Sequence, residues 1–160
     1  MKKALLTLAA CMAVYVAAAQ DTMAKPGTKI VDQVGLLKTE ETAAIQGIID
    51  NLYKMRKGNA YLLIIDSLPD GQNMIAFTKG IFKKWDLNNE GDGLNFIIVY
   101  SLKEHGVRIE GSDKVIALVT KQYLQEVTNK SMIPYFQKRQ DFMALKRGME
   151  MVAIKIENNN

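Results

Sequence analysis

Two continuous apolar runs constrain the fold of this chain more than any other feature. The first covers residues 60–66 and reads Ala-Tyr-Leu-Leu-Ile-Ile-Asp, and the second covers residues 94–100 and reads Leu-Asn-Phe-Ile-Ile-Val-Tyr. Turn residues bound both runs, and their shortness favours strands over helices. Because neither run alternates between apolar and polar residues, we expect both strands to be covered on both faces.

Helical patterns flank the two runs and indicate what covers them. Apolar residues recur at helical spacing over residues 39–57, 72–85 and 141–156, and a further helical pattern spans residues 120–127. Residues 107–110 read as another strand, joined to the second apolar run by a tight hairpin. This order predicts an α/β fold, namely a three-layer α/β/α sandwich with a small mixed, partly parallel sheet.

Residues 1–19 have the pattern of a secretory signal peptide. Lys2 and Lys3 precede an apolar run that ends in small residues just before Gln20. The run is shorter than the roughly 20 residues that a membrane-spanning helix needs, so cleavage is favoured over a retained anchor. Cys11 ends a short lipobox-like sequence, and lipidation there, which would tether the domain to a membrane, is the alternative. We expect the mature chain in the bacterial periplasm or outside the cell.

These boundaries divide the chain into a signal peptide at 1–19, a flexible leader at 20–29, a folded domain at 30–157 and a tail at 158–160. Removing two lysines with the signal peptide leaves 19 basic residues against 17 acidic ones, and this near balance argues against nucleic acid as a partner. The only cysteine is also removed, which excludes disulfides. No second apolar run is long enough to span a membrane, so no transmembrane segment is expected in the mature chain.

The loop before the second apolar run is rich in oxygen donors. Residues 86–93 read Asp-Leu-Asn-Asn-Glu-Gly-Asp-Gly, and Asp86, Asn88 and Glu90 fit the first positions of a calcium-binding loop. The glutamate that such a loop carries at its last position is absent. Asp86, Asn88, Glu90 and Asp92 are therefore the candidate ligands of a weak site for Ca2+ or Mg2+. The alternative is a polar turn that holds no cation, because Asp, Asn and Gly are common turn residues.

Three aspartates form a second candidate site. Asp66 and Asp70 follow the first apolar run, at the edge of an α/β sheet where ligands usually bind, and Asp32 lies near them if residues 30–32 join the sheet. Carboxylates paired there would hold a metal ion that activates water against a phosphate ester. The alternative is structural, with Asp70 in a turn and Asp66 capping its strand. His105 is the only histidine, so a typical zinc site is excluded.

The order of motifs along the chain resembles the TPM domain family. No single motif is diagnostic, but the ordered set spans residues 30–157. The matching residues are Val31, Asp32, Gly35, Leu36, Glu40, Ser67, Leu68, Pro69, Lys84, Trp85, Asp92, Gly93, Val107–Glu110, Thr120, Ile133–Phe136, Ala144, Leu145 and Gly148. The resemblance implies an α/β sandwich outside the cytoplasm. Members of the family include weak acid phosphatases, divalent-cation binders and auxiliary factors for membrane complexes.

One stretch departs from the family pattern. Members of the family usually carry a glycine-rich sequence followed by Thr-Asp, whereas this chain has Ser-Asp-Lys-Val-Ile-Ala at residues 112–117, and Lys121 follows Thr120. If those positions shape a site in relatives, that site is altered or lost here. The resemblance therefore assigns no catalytic residue to this chain.

Binding is favoured over catalysis, because the resemblance assigns no catalytic residue and each candidate site also has a purely structural interpretation. We expect an exported accessory module that docks on another envelope protein and binds Ca2+ or Mg2+ weakly. A metal-assisted acid phosphatase of low activity, which would use Asp32, Asp66 and Asp70, is the alternative.

Overall fold

The computed structural model describes residues 24–159. The predicted signal peptide, Cys11 and the first part of the predicted leader lie outside these residues. Within them, no helix is both long enough and apolar enough to cross a membrane.

A four-stranded sheet forms the centre of the fold. Its strands are β1 (Ile30–Asp32), β2 (Asn59–Ile65), β3 (Asn95–Ser101) and β4 (Gly106–Gly111). They lie in the order β1-β2-β3-β4, with the first three parallel and β4 antiparallel to β3. The mixed sheet, the parallel pairing of the two apolar runs and the hairpin after the second run confirm the sequence prediction. The first segment joins the sheet, with Asp32 opposite Ile64.

Helices cover both faces of this sheet. They are α1 (Thr39–Arg56), α2 (Met74–Lys84), α3 (Asp113–Val119), α4 (Lys121–Glu126), a π-helical segment (Val127–Met132), α5 (Ile133–Phe136) and α6 (Asp141–Asn158). Helix α2 packs on one face, and the other helical elements pack on the opposite face. The predicted three-layer α/β/α sandwich is therefore confirmed.

Alternating side chains of the two central strands fill two separate cores. Leu62 and Ile64 of β2 pack among α1 and α6, whereas Tyr61, Leu63 and Ile65 pack against α2. Successive side chains of a strand point to opposite faces, so an uninterrupted apolar run supplies both cores. Every residue of β2 and β3 is buried accordingly.

The two ends of α1 differ in detail from what the sequence suggests. Thr39 has the character of an N-cap residue, but it is the first helical residue, and Lys38 occupies the N-cap position. The Glu41 carboxylate accepts a hydrogen bond from the Lys38 backbone N–H at 2.9 Å and so satisfies one free amide there. At the other end, the left-handed residue that closes the helix is Lys57 (φ +53°) rather than Gly58.

Helix α3 is an element that the sequence analysis does not predict. Ser112 is its N-cap, and the hydroxyl oxygen accepts a hydrogen bond from the Val115 backbone N–H at 3.2 Å. The same hydroxyl donates to the Gly93 carbonyl at 2.5 Å, which ties the start of α3 to the loop before β3. The stretch that departs from the family pattern is therefore helical and fixed to the sheet.

Candidate functional site

The loop at residues 86–93 spreads its oxygen donors over several contacts. Asp86 has a left-handed backbone (φ +52°), and its carboxylate accepts a hydrogen bond from the Asn89 side chain at 2.7 Å. Asn88 contacts α3: its amide donates to the Asp113 carboxylate at 3.0 Å, and its carbonyl accepts from the Asp113 backbone N–H at 2.9 Å. Asp92 uses its backbone carbonyl to accept from Lys114 at 2.6 Å.

Glu90, the fourth candidate ligand in this loop, contacts β2 and the segment before β1. The Tyr61 hydroxyl donates to its carboxylate at 2.6 Å, and the ammonium groups of Lys25 and Lys29 lie 3.0 and 3.5 Å from it. Partial burial acts to raise the pKa of Glu90, but the Tyr61 hydrogen bond and the two lysines outweigh it and lower that pKa. The Glu90 carboxylate is therefore ionised at neutral pH, and the positive charges of Lys25 and Lys29 balance its negative charge.

The structure thus places Asp86 and Asn88 around one hollow with Asp113, the first residue of α3, and it turns Glu90 towards β1 and β2. In residues 24–159, no group of three or more His, Cys, Asp or Glu side chains is arranged to hold a metal ion. Cation binding by this loop stays a prediction.

Replacing Glu90 with glutamine is expected to lower the free energy of unfolding by about 1–2 kcal/mol at neutral pH, because the ion pairs with Lys25 and Lys29 and the hydrogen bond from the Tyr61 hydroxyl lose their negatively charged acceptor. The lowered pKa of Glu90 means that its stabilising effect is complete above about pH 4.5 and is lost as the pH falls through the lower pKa of the folded state. Urea denaturation of both proteins over a pH series should therefore give stabilities that converge in acid.

Asp92→Asn is the matched control for this experiment. Asp92 lies in the same loop, and its carboxylate makes no hydrogen bond or ion pair with the residues that the structure describes. A change of less than about 0.5 kcal/mol is expected for it at every pH. A Glu90→Gln difference that persists undiminished in acid would contradict the prediction.

The three aspartates of the second candidate site make separate structural contacts. Asp32 accepts hydrogen bonds from the backbone N–H groups of Val34 at 3.2 Å and Leu37 at 2.8 Å, which shapes the turn into α1. Asp66 forms an exposed ion pair with Lys103 at 2.7 Å. Asp70 lies in an exposed turn. Asp32 and Asp66 do lie at the carboxyl ends of adjacent strands, but their carboxylates make these different contacts.

A groove opens at the carboxyl end of β3, at the edge of the sheet where ligands of α/β proteins usually bind. It has a volume of about 630 Å³. The side chains of Tyr100 and Phe136 stack in it, with ring centroids 4.3 Å apart and an angle of 22° between the rings. The lining residues are Tyr100, Leu102, His105, Ile133, Phe136, Gln137, Arg139 and Asp141. We call this the β3 groove.

The polar residues of the β3 groove include two with unusual backbone conformations. His105 in the β3–β4 hairpin has φ +46°, and Arg139 between α5 and α6 has φ +56°. Such conformations are uncommon for non-glycine residues, and they often occur at binding sites, where the surrounding structure holds them. The Arg139 guanidinium makes no ion pair or hydrogen bond with the described residues 24–159. It is therefore a free cation beside an aromatic surface.

Tyr100 contributes a hydrogen-bond donor to the groove. Its hydroxyl donates to the Asp141 carboxylate at 3.4 Å. Burial, together with the negative charge of Asp141, raises the pKa of Tyr100 to about 12. The phenol therefore stays protonated at neutral pH and does not act as a base. The groove combines an apolar floor with polar groups at its rim, which is the composition of a binding site.

A second hollow adjoins the β3 groove. It has a volume of about 280 Å³ and lies between the turn that precedes α1 and the start of α6. Arg139 and Asp141 line both hollows. The recess is therefore elongated, and its shared wall carries one positive and one negative side chain.

The residues that build this sheet and its helices match one family model. A model of the TPM domain aligns with residues 30–154, which is most of the chain. The chain belongs to the TPM domain family. A comparison of this TPM domain with curated proteins finds no match.

Solved structures share the fold of this TPM domain. The N-terminal domain of a protein from P. gingivalis has a TM-score of 0.72 at 19% identity, covering 79% of this chain and 80% of that one. A protein from the psychrophilic bacterium Bizionia argentinensis has a TM-score of 0.67 at 15% identity, covering 78% and 84%. The N-terminal domain of a Corynebacterium glutamicum protein has a TM-score of 0.63 at 16% identity, covering 81% and 82%. At these identities the likeness shows the fold alone.

The β3 groove of this TPM domain is a site that the sequence analysis missed. The rule that ligands bind at the carboxyl ends of parallel strands predicts a site at Asp66 and Asp70 after β2, whereas the groove lies after β3. Tyr100 ends an apolar run and Phe136 ends the short segment Ile-Pro-Tyr-Phe at residues 133–136, so both have the sequence character of core residues. Only the packing of α5 and α6 brings them together.

Proposed function

We propose that this TPM domain is an accessory module that binds an extended segment of another envelope protein in the β3 groove. The observation that carries the proposal is the combination of a stacked aromatic floor, Tyr100 and Phe136, with the free cation of Arg139 at the rim. A segment that carries an apolar side chain next to a carboxylate matches both parts. The envelope location of the partner rests on the predicted signal peptide.

The shape of the recess supports a peptide segment as the ligand. The β3 groove and the second hollow adjoin at Arg139 and Asp141, so a chain in extended conformation spans both. An aromatic side chain buried on an aromatic floor is the kind of contact that dominates the affinity of protein interfaces. Arg139 adds selectivity, because a guanidinium binds a carboxylate through two parallel hydrogen bonds.

Selection of a random phage-displayed peptide library on the purified domain tests this proposal. The selected peptides are expected to combine an aromatic or aliphatic residue with a nearby Asp or Glu. Their affinity, measured by fluorescence anisotropy, is expected to fall at least about tenfold in Phe136→Ala, because truncating an aromatic contact in a buried pocket costs about 2 kcal/mol. Arg139→Asn is expected to weaken binding by about threefold to tenfold, since asparagine accepts the left-handed backbone but carries no charge.

Lys57→Asn is the matched control for Arg139→Asn. Lys57 is also a cation with a left-handed backbone, and it lies at the end of α1, next to the amino end of β2. The control is expected to bind the selected peptides with unchanged affinity. If the peptides bind equally well to both groove variants, or if they share no acidic residue, the proposal is wrong.

A further inference from the structure

Strand β4 is the exposed edge of the sheet. The order β1-β2-β3-β4 leaves its outer side without a neighbouring strand. Ser112, just past β4, donates its backbone N–H to the Asn95 carbonyl at 2.8 Å. Because hydrogen-bonded pairs alternate along an antiparallel ladder, the backbone groups of Glu110 and Arg108 point to β3, and those of Val107 and Ile109 point outward. No element in residues 24–159 makes a backbone hydrogen bond with these outward groups.

A hollow of about 140 Å³ runs along this edge. Four consecutive strand residues, 107–110, line one side of it. Lys79 from α2 lines it from one face of the sheet, and Lys121 and Gln125 from α4 line it from the other face. The open backbone groups of β4 therefore lie between two helices that each supply a lysine.

The charge around the hollow is positive. Arg108 and Glu110 neutralise each other through an ion pair of 2.8 Å. Lys79 and Lys121 form no ion pair with the described residues, so two cations flank the strand without a counter-charge. Lysines near a sheet edge also discourage pairing with neutral or basic strands. The same arrangement favours a strand that carries carboxylates.

A strained residue fixes the position of Lys121. Thr120 immediately precedes it and has φ +64° and ψ 150°, a conformation that is almost restricted to glycine. The Thr120 backbone N–H donates to the Ile116 carbonyl at 3.0 Å, and its hydroxyl accepts from the Tyr123 backbone N–H at 3.2 Å. These bonds hold a sharp turn between α3 and α4 that brings Lys121 to the hollow. Strain of this kind occurs preferentially at binding sites.

We propose that the outer edge of β4 binds an extended acidic segment of a partner protein by strand addition. The backbone groups of Val107 and Ile109 pair with the added strand, and its carboxylates lie against Lys79 and Lys121. This surface is separate from the floor of the β3 groove, and the inference goes beyond the function proposed for that groove.

The test uses the peptide acetyl-Val-Glu-Glu-Val-Glu-Glu-Val-amide as the probe, because adjacent glutamates on a strand point to opposite faces of the sheet and can meet both lysines. Its binding is followed by amide hydrogen exchange in NMR spectra of the domain. The outward amides of Val107 and Ile109 are expected to exchange quickly in the free domain and to become protected when the peptide is added. The counterparts with Gln or Lys in place of Glu are expected to bind at least about tenfold more weakly. The double variant Lys79→Gln/Lys121→Gln is expected to lose affinity for the acidic peptide to the same degree.

Two control measurements make the outcome unambiguous. Phe136→Ala, which alters the β3 groove, is expected to leave binding of the acidic peptide unchanged. The double lysine variant is expected to bind the phage-selected groove peptides normally. Binding of the acidic peptide without protection of the Val107 and Ile109 amides overturns strand addition, and equal binding of the acidic and basic peptides overturns the charge match. No detectable binding of the acidic peptide also overturns the proposal.

Discussion

Replacing Asn95 with leucine is expected to lower the free energy of unfolding by about 3–5 kcal/mol, because it leaves several buried polar groups without partners. The fully buried Asn95 amide donates to the carbonyls of Leu87 and Glu90, both at 2.7 Å. Its carbonyl accepts from the side chain of Asn59 at 3.0 Å. This one side chain therefore joins the loop at residues 86–93 to the amino ends of β2 and β3. Thermal unfolding followed by circular dichroism should show a midpoint lower by about 10–20 °C.

Asn129→Leu provides the comparison for this change. Asn129 is exposed, and its side chain accepts one hydrogen bond from Gln125 at 3.0 Å. The same chemical substitution at this position is expected to change the stability by less than about 0.5 kcal/mol. If Asn95→Leu lowers the free energy of unfolding by no more than Asn129→Leu does, the buried network does not contribute to stability as described.

Gly58→Ala is expected to lower the free energy of unfolding by about 2–3 kcal/mol, because there is no room for a methyl group. A Cβ atom at this position would lie 2.7 Å from the Leu94 carbonyl oxygen and 3.3 Å from Cγ of Leu52. That carbonyl accepts a hydrogen bond from the Asn59 backbone N–H at 3.0 Å, so it cannot move without loss of a bond between β2 and β3. Urea denaturation provides the measurement.

Gly47→Ala is the control for the effect of the added methyl group. Gly47 lies on the exposed side of α1, and a Cβ atom there would contact nothing within 4 Å. Alanine is expected to stabilise the protein by about 0.5–1 kcal/mol, because it has the higher helix propensity. If the two variants change the free energy of unfolding in opposite directions, the loss at Gly58 is caused by the lack of space for a methyl group and not by the reduced freedom of the backbone. A stabilising Gly58→Ala would contradict this interpretation.

The central layer of the fold was predictable because its pattern depends on solvent exclusion alone. A strand that reads Tyr-Leu-Leu-Ile-Ile has no polar face, so helices must cover it on both sides. The spacing of apolar residues predicted α1, α2 and α6 for the same reason. The start of α3 also carries a signal, since Ser112 followed by Asp113 is a common beginning of a helix.

The candidate sites were harder to predict because they depend on contacts between distant residues. Glu90 had the sequence environment of a cation ligand, but the register of the sheet places the Tyr61 hydroxyl 2.6 Å from its carboxylate. Nothing in the local sequence predicts that pairing. The contact between Tyr100 and Phe136 likewise depends on how α5 packs after the π-helical segment. Tertiary packing, rather than residue type, determines both sites.

The ion pairs of Lys25 and Lys29 with Glu90 also determine where the polypeptide enters the domain. Both lysines lie at the amino edge of the sheet, whereas the β3 groove opens at its carboxyl edge. The length of β2, seven residues, separates the two edges by about 20 Å. A domain that is attached through its amino-terminal segment therefore presents the β3 groove on the side that faces away from the point of attachment.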